Sequence, residues 1–168
     1  MANCDWSVFL ADETCKTLAF KGNNLDDDSK RLALLFPNVT PSKIFMMYGE
    51  QELLQGKNVG DFAEEYGAFV SRIQERFPST EVIIMSVLPM WKEHDNQFNV
   101  DMAENVKKLN ILLKLLANQK GYSFLNLYPD FVDVNGYMNS RFCSSDGMAL
   151  RHSAYIIMKD RIKDYIKN

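Results

Sequence analysis

Apolar runs without polar alternation recur along this chain, and stretches with apolar residues at helical spacing lie between them. Lys43-Ile44-Phe45-Met46-Met47-Tyr48 and Glu81 to Leu88 read as strands buried on both faces, the second stopped by Pro89. Ser123 to Tyr128 is a third strand, and the short run Ser7-Val8-Phe9-Leu10-Ala11 predicts one near the start. Asp26-Asp27-Asp28-Ser29 leads into a helix over Lys30 to Phe36, because acids ahead of a Leu-rich run suit a helix N-terminus. Pro37 and Pro41 punctuate a loop. A second helix follows Gly60 and Asp61, placing Phe62, Tyr66, Phe69, Val70 and Ile73 on one side before Pro78 closes it. A third, from about Val100 to Gln119, aligns Val106, Leu109, Leu113 and Leu116, with Gly121 placed as a C-cap. The last helix is expected from about His152 to Ile166.

Strand and helix in alternation with short links mean βαβ units, right-handed crossovers and a parallel sheet. The fold class expected is therefore a three-layer α/β/α sandwich. Ligand sites in such sheets lie at the carboxyl ends of the strands. The residues just after Ala11, Tyr48, Leu88 and Tyr128 are the ones to inspect.

Composition narrows the picture. The 168 residues are 46% hydrophobic and 24% charged, as expected for one globular domain spanning 1–168. A net charge of −3 without a basic stripe argues against a nucleic-acid partner. The longest apolar runs, such as Val82 to Leu88, are far too short to span a bilayer. The start, Met1-Ala2-Asn3-Cys4-Asp5-Trp6, has no basic and apolar signal pattern, so the cytoplasm is the expected location; secretion stays open for a chain whose leader has been removed. Cys4, Cys15 and Cys143 are odd in number and lack metal-ligand spacing, which reads as reduced thiols or small core residues. Oligomeric state is not legible.

The candidate chemistry concentrates near the end, in Asp146-Gly147-Met148-Ala149-Leu150-Arg151-His152-Ser153-Ala154-Tyr155. This run resembles the last block of SGNH (GDSL-type) hydrolases, of the form Asp-Gly-x-His-Leu-x-x-x-Gly-Tyr. Other blocks follow the same order from Lys43 onward. Phe45 to Glu52 is similar to the family's strand ending in Gly-x-Asn-Asp, and Val82 to Pro89 to its strand ending in Ser-x-Leu-Pro. Leu109-Asn110-Ile111-Leu112-Leu113 matches a recurrent Leu-Asn-x-x-Leu, and Phe124 to Tyr128 resembles Phe-x-Asp-x-Tyr with Asn126 at the Asp. The resemblance implies a flavodoxin-like SGNH fold and hydrolysis of a small acyl ester or an acylated carbohydrate, without cofactor or metal.

That chemistry uses a Ser nucleophile, a His base and an orienting Asp, with backbone N–H groups, a Gly and an Asn amide holding the oxyanion. By resemblance, Asp146 takes the Asp position and Ala149 the His position. Alanine cannot accept a proton. Gly49 takes the oxyanion glycine position and Gln51 the Asn position, where the extra methylene extends the amide by about 1.5 Å. For the Gly-Asp-Ser block two placements stand. Either Phe9-Leu10-Ala11-Asp12-Glu13-Thr14 is that block, with Glu13 at the serine, or residues 1 to 25 lie downstream of a nucleophile block that is missing. The spacing from Glu13 to Gly49, shorter than is usual in the family, favours the second. Gly22 takes the second-block glycine under either.

Other groups have plainer readings. His152, one helical turn beyond Ala149, is a candidate displaced base or simply a surface residue, and His94 sits in the polar stretch Lys92 to Asn96. Glu13 as a carboxylate nucleophile and Cys15 as a thiol nucleophile are chemically allowed. The Asp26–Asp28 run fits helix-start electrostatics better than a metal cluster, and Met46, Met47, Met85 and Met90 fit core filling. Three functional readings remain open: an inactivated or truncated ester hydrolase, a natural pseudoenzyme that binds a ligand or partner, and an active enzyme rebuilt on Glu13 or Cys15 with His152.

Overall fold

Three parallel strands order the molecule: β1 (Lys43–Met46), β2 (Glu81–Met85) and β3 (Ser123–Leu125), hydrogen-bonded in that sequence. The structure, a computed structural model, describes residues 4–18, 24–36, 39–93, 101–144 and 149–166. Eight α-helices are assigned among these residues: α1 (Trp6–Leu10), α2 (Leu25–Lys30), α3 (Leu32–Leu35), α4 (Glu50–Leu54), α5 (Val59–Arg76), α6 (Met102–Lys120), α7 (Tyr128–Phe131) and α8 (His152–Ile166). A 3₁₀ turn at Ser140–Phe142 precedes the last of them.

The period of a strand builds the layers. Val82 and Ile84 of β2 face one apolar cluster with Phe62, Tyr66 and Val70 of α5 and Val106, Leu109 and Leu113 of α6. Ile83 and Met85 face the opposite cluster with Trp6 of α1 and Ala154, Tyr155, Met158 and Ile162 of α8. β1 divides likewise, sending Ile44 and Met46 to the first cluster and Phe45 and Met47 to the second. Helices therefore cover both faces of a parallel sheet, which is the α/β/α sandwich expected from the sequence.

Caps fix the helix ends. Asn58 accepts the backbone N–H of Gly60 and Asp61 at 2.8 and 3.2 Å to start α5, and Asp101 accepts Glu104 N–H at 2.8 Å to start α6. Gly121 ends α6 at φ +76°, the left-handed conformation expected there. The acidic run has separate duties. Asn24 and Asp27 form a capping box, Asp26 pairs with Lys30 at 2.6 Å, and Asp28 pairs with Arg31 at 2.8 Å.

The run Ser7–Ala11, expected as a strand, is instead helical. Asp5 caps it through Ser7 N–H at 3.0 Å, and Ala11 closes it at φ +54°. A five-residue apolar run carries no periodicity that separates the two states, and here the local cap prevails. The first helix begins at Leu25 rather than Lys30 and breaks at Arg31. β2 and β3 stop at Met85 and Leu125, short of the expected Leu88 and Tyr128. Side chains at the strand ends intercept the backbone there.

Candidate functional site at the strand ends

Three residues, Gly49, Ser86 and Asn110, shape the carboxyl edge of the sheet. Gly49, just after β1, is buried at φ +134°. A Cβ there would stand 2.6 Å from Leu109 Cδ2 and 2.8 Å from Val87 Cγ2, so both the backbone angle and the space require glycine. Ser86, fully buried after β2, accepts the N–H groups of Leu127 and Tyr128, each at 2.9 Å. One hydroxyl thus pins the end of β3 to the end of β2. Asn110 of α6 clamps the next residue: Val87 N–H donates to its Oδ1 at 2.7 Å, and its Nδ2 donates to Val87 O at 2.9 Å.

These contacts give physical content to two of the sequence blocks. In Leu109-Asn110, the leucine packs where Gly49 has no side chain and the asparagine holds the loop after β2. In Ser86-Val87-Leu88-Pro89, the serine is the acceptor that ends β3. Neither Ser86 nor Asn110 carried a role in the sequence reading. The signal was present in the recurrent Ser and Asn of those blocks, but the partner is another strand's backbone, which no local pattern reveals.

Tyr48 secures the β1 side of the rim. Its hydroxyl donates to Asp28 Oδ2 at 2.8 Å, while Arg31 holds Asp28 Oδ1. Burial first, and the bond to the Asp28 carboxylate second, push the Tyr48 phenol far above its ordinary range. It is a donor at all working pH values. Glu52, also buried, accepts Leu25 N–H at 2.7 Å and ties α4 to α2. Gln51 is half-buried in the first turn of α4, two residues after Gly49.

The segment after β3 meets the loop after β2. Met138 N–H donates to Met90 O at 2.8 Å, joining that segment to the loop after β2. Arg151 N–H donates to Phe142 O at 2.8 Å, Ser144 N–H to Ala149 O at 2.8 Å, and Ala149 N–H to Ser144 Oγ at 3.1 Å. These bonds hold Ser144 and Ala149 together. Asp146, like Gly22 and His94, lies outside the described residues.

The other described positions of the candidate chemistry are exposed or half-buried. Ala149 is exposed. His152 opens α8 at the surface, its ring edge-on to Phe9 at 5.5 Å between centroids. Glu13 is exposed in the turn after α1 and does not end a strand, because the run before it is helical. Among the described residues no hydrogen bond joins Glu13 to Gly49, Gln51 or Ala149. Cys15 is half-buried, and burial pushes its thiol above the ordinary range. No cluster of three or more potential metal ligands occurs among the described residues. No helix there is long and apolar enough to cross a membrane.

Comparison with known proteins follows this geometry. No family model matches the chain, and no curated protein matches it. Solved structures do. A protein named as a platelet activating factor from Streptococcus pneumonia is similar over 95% of this chain and 76% of its own, with TM-score 0.80 and 18% identity. A GDSL-like lipase from Bacteroides thetaiotaomicron is similar over 87% and 72%, with TM-score 0.74 and 18% identity. The fold is that of the SGNH (GDSL-type) hydrolases. The same SGNH fold also resembles the OSK domain of Drosophila Oskar, with TM-score 0.69 and 9% identity over 88% and 71%. Architecture alone therefore leaves the chemistry to be argued from the site.

Proposed function

We propose that this chain is an ester-hydrolase domain of the SGNH type that does not turn over substrate as written. The observation that carries this reading is Ala149. It stands where the family block has its histidine, and a methyl group cannot take a proton from a nucleophile. The one described imidazole, His152, packs edge-on to Phe9 at the surface and has no hydrogen bond to Glu13 or Cys15 among the described residues. Gly49 and Gln51 supply the oxyanion side of the cleft, and Asp146 is the orienting carboxylate left without an imidazole to orient. The domain spans 1–168, and its substrate class is a small acyl ester, such as an O-acetyl group on a sugar.

Incubation with a chromogenic acetate ester beside a buffer blank tests the claim. Hydrolysis indistinguishable from buffer is expected, because triad members act as a unit and their loss removes several orders of magnitude in rate. Saturable turnover near 1 s⁻¹ or faster, at the low end of ordinary enzymes, overturns it.

A second reading is supported by how completely the rim is kept. Ser86, Asn110 and Gly49 retain their bonds and packing while the Ser and His positions do not. A natural pseudoenzyme that binds an acylated ligand without cleaving it has this pattern. Ligand-observed NMR with an acetylated monosaccharide separates the two readings. Saturable binding by a protein without turnover favours the pseudoenzyme, and no binding favours an enzyme that has been disabled.

A further inference from the structure

We propose that Cys4 and Cys15 form a redox-responsive pair, joined by a disulfide oxidant of the oxidised-glutathione class so that the two ends of the α1 turn are locked together beside α8. Both thiols are free and half-buried, and both pack against the same apolar cluster as Trp6 and Tyr155. The chain folds back sharply after α1. Ala11 turns it at φ +54°, Asp12 N–H donates to Ser7 O at 2.9 Å, and Cys15 N–H donates to Asp12 O at 3.1 Å.

This reversal brings Trp6 beside Thr17, and Cys4 and Cys15, each two residues earlier, pack on the same apolar cluster. Trp6 N–H donates to Thr17 Oγ1 at 3.2 Å. One residue back, Lys16 helps hold the Asp5 carboxylate below its ordinary range, after the larger effect of its hydrogen bond from Ser7. One further back are Cys4 and Cys15. The Cys15 thiol feels Asp12, Asp5 and Cys4, although burial is the main reason its pKa is raised. Cys143 has a different setting: it is 2% exposed and bridges to Leu150.

The chemistry is two successive thiol–disulfide exchanges. One cysteine thiolate of the pair attacks a sulfur of oxidised glutathione, whose S–S bond breaks and releases one glutathione thiolate. The second cysteine thiolate then attacks the protein-bound sulfur, forming the Cys4–Cys15 bond and releasing a second glutathione thiolate. The two protons lost by the cysteines end on the two glutathione thiols. The protein pair is oxidised and the glutathione disulfide reduced, so atoms and electrons balance. Because burial raises both thiols, exchange is slow at neutral pH and quickens as the pH rises.

Closure would act where α1 packs on α8. Trp6 and Phe9 of α1 contact Tyr155 with ring centroids 6.2 and 6.3 Å apart, and Phe9 also meets His152. Tying residue 4 to residue 15 restricts the short helix that carries these rings, independently of whether the neighbouring cleft hydrolyses anything.

The test treats the 168-residue protein with oxidised glutathione at pH 8.5, quenches with acid and maps peptides after cleavage before aspartate, which separates Cys4 from Cys15 at Asp5 and Asp12. Expected is a linked pair of peptides carrying Cys4 and Cys15, with a melting midpoint raised by at least about 3 °C and restored by dithiothreitol. Cys4→Ser and Cys15→Ser should each abolish the rise, and Cys143→Ser should keep it. Separate glutathione adducts without an internal bond, linkage through Cys143, or cross-linked dimers overturn the pairing. An internal bond with no melting shift overturns the locking. The peptide map reads the native protein, so it decides the pairing even if a serine variant folds poorly.

Discussion

The rim at the carboxyl ends of the strands and the surface carrying Glu13, Ala149 and His152 differ in how firmly their residues are held. At the rim, Ser86 is completely buried with two backbone donors on one oxygen, and Gly49 fills a gap that admits no Cβ. On the other surface, Glu13, Ala149 and His152 are all exposed. The first region has the interactions whose loss is costly, namely buried polar groups with single partners and a backbone in a restricted conformation. The second has side chains whose removal leaves little behind. The fold can therefore stand whole whatever side chains occupy those exposed positions.

The sharpest way to break this contrast is Gly49→Ala. A Cβ meeting two side chains below 3 Å at a positive φ should cost about 3 kcal/mol or more, read from urea midpoints. A loss below about 0.5 kcal/mol would mean that the rim is not close-packed. Ser86→Ala comes next at about 2–3 kcal/mol, since it leaves two N–H groups without their acceptor. Asn110→Ala should cost about 2 kcal/mol, and the pair should be non-additive because Ser86 and the Val87 that Asn110 clamps are consecutive residues of one loop. Strict additivity would show that the two ties act separately.

The other side of the comparison predicts near-silence. Glu13→Gln and His152→Ala should each change stability by less than about 0.5 kcal/mol and leave ester hydrolysis at the buffer level. If His152→Ala instead lowers a measurable hydrolysis rate, the rebuilt-enzyme reading gains and the inactive one falls.

The smallest effect is one of pH. Lys43 donates to Glu81 at 2.6 Å, and this bond first, with Ser123 second, holds the Glu81 carboxyl below its ordinary range. A depressed folded pKa means the contribution is present above the unfolded value of about 4.3 and fades as pH falls through the folded one. Glu81→Gln should flatten the acid side of the stability curve by no more than about 1 kcal/mol, because the pair is partly exposed. An unchanged acid slope would leave Glu81 without a role in acid stability.

Apolar runs and helical spacing were enough to find three strands, the long helices, the Gly121 cap and the last helix, because those signals are written in neighbouring residues. It was the resemblance to the SGNH blocks that marked Gly49 and Ala149 as positions of interest. Ser7–Ala11 was misread because five apolar residues fit strand and helix alike, and the cap from Asp5 decided between them. What only the tertiary structure decided is how the rim is held. Ser86 takes its donors from residues 41 and 42 positions later, and Asn110 clamps a residue 23 positions earlier. Hydrogen bonds over such separations leave no local periodicity, because their geometry exists only once the parallel strands have paired and α6 has packed against them.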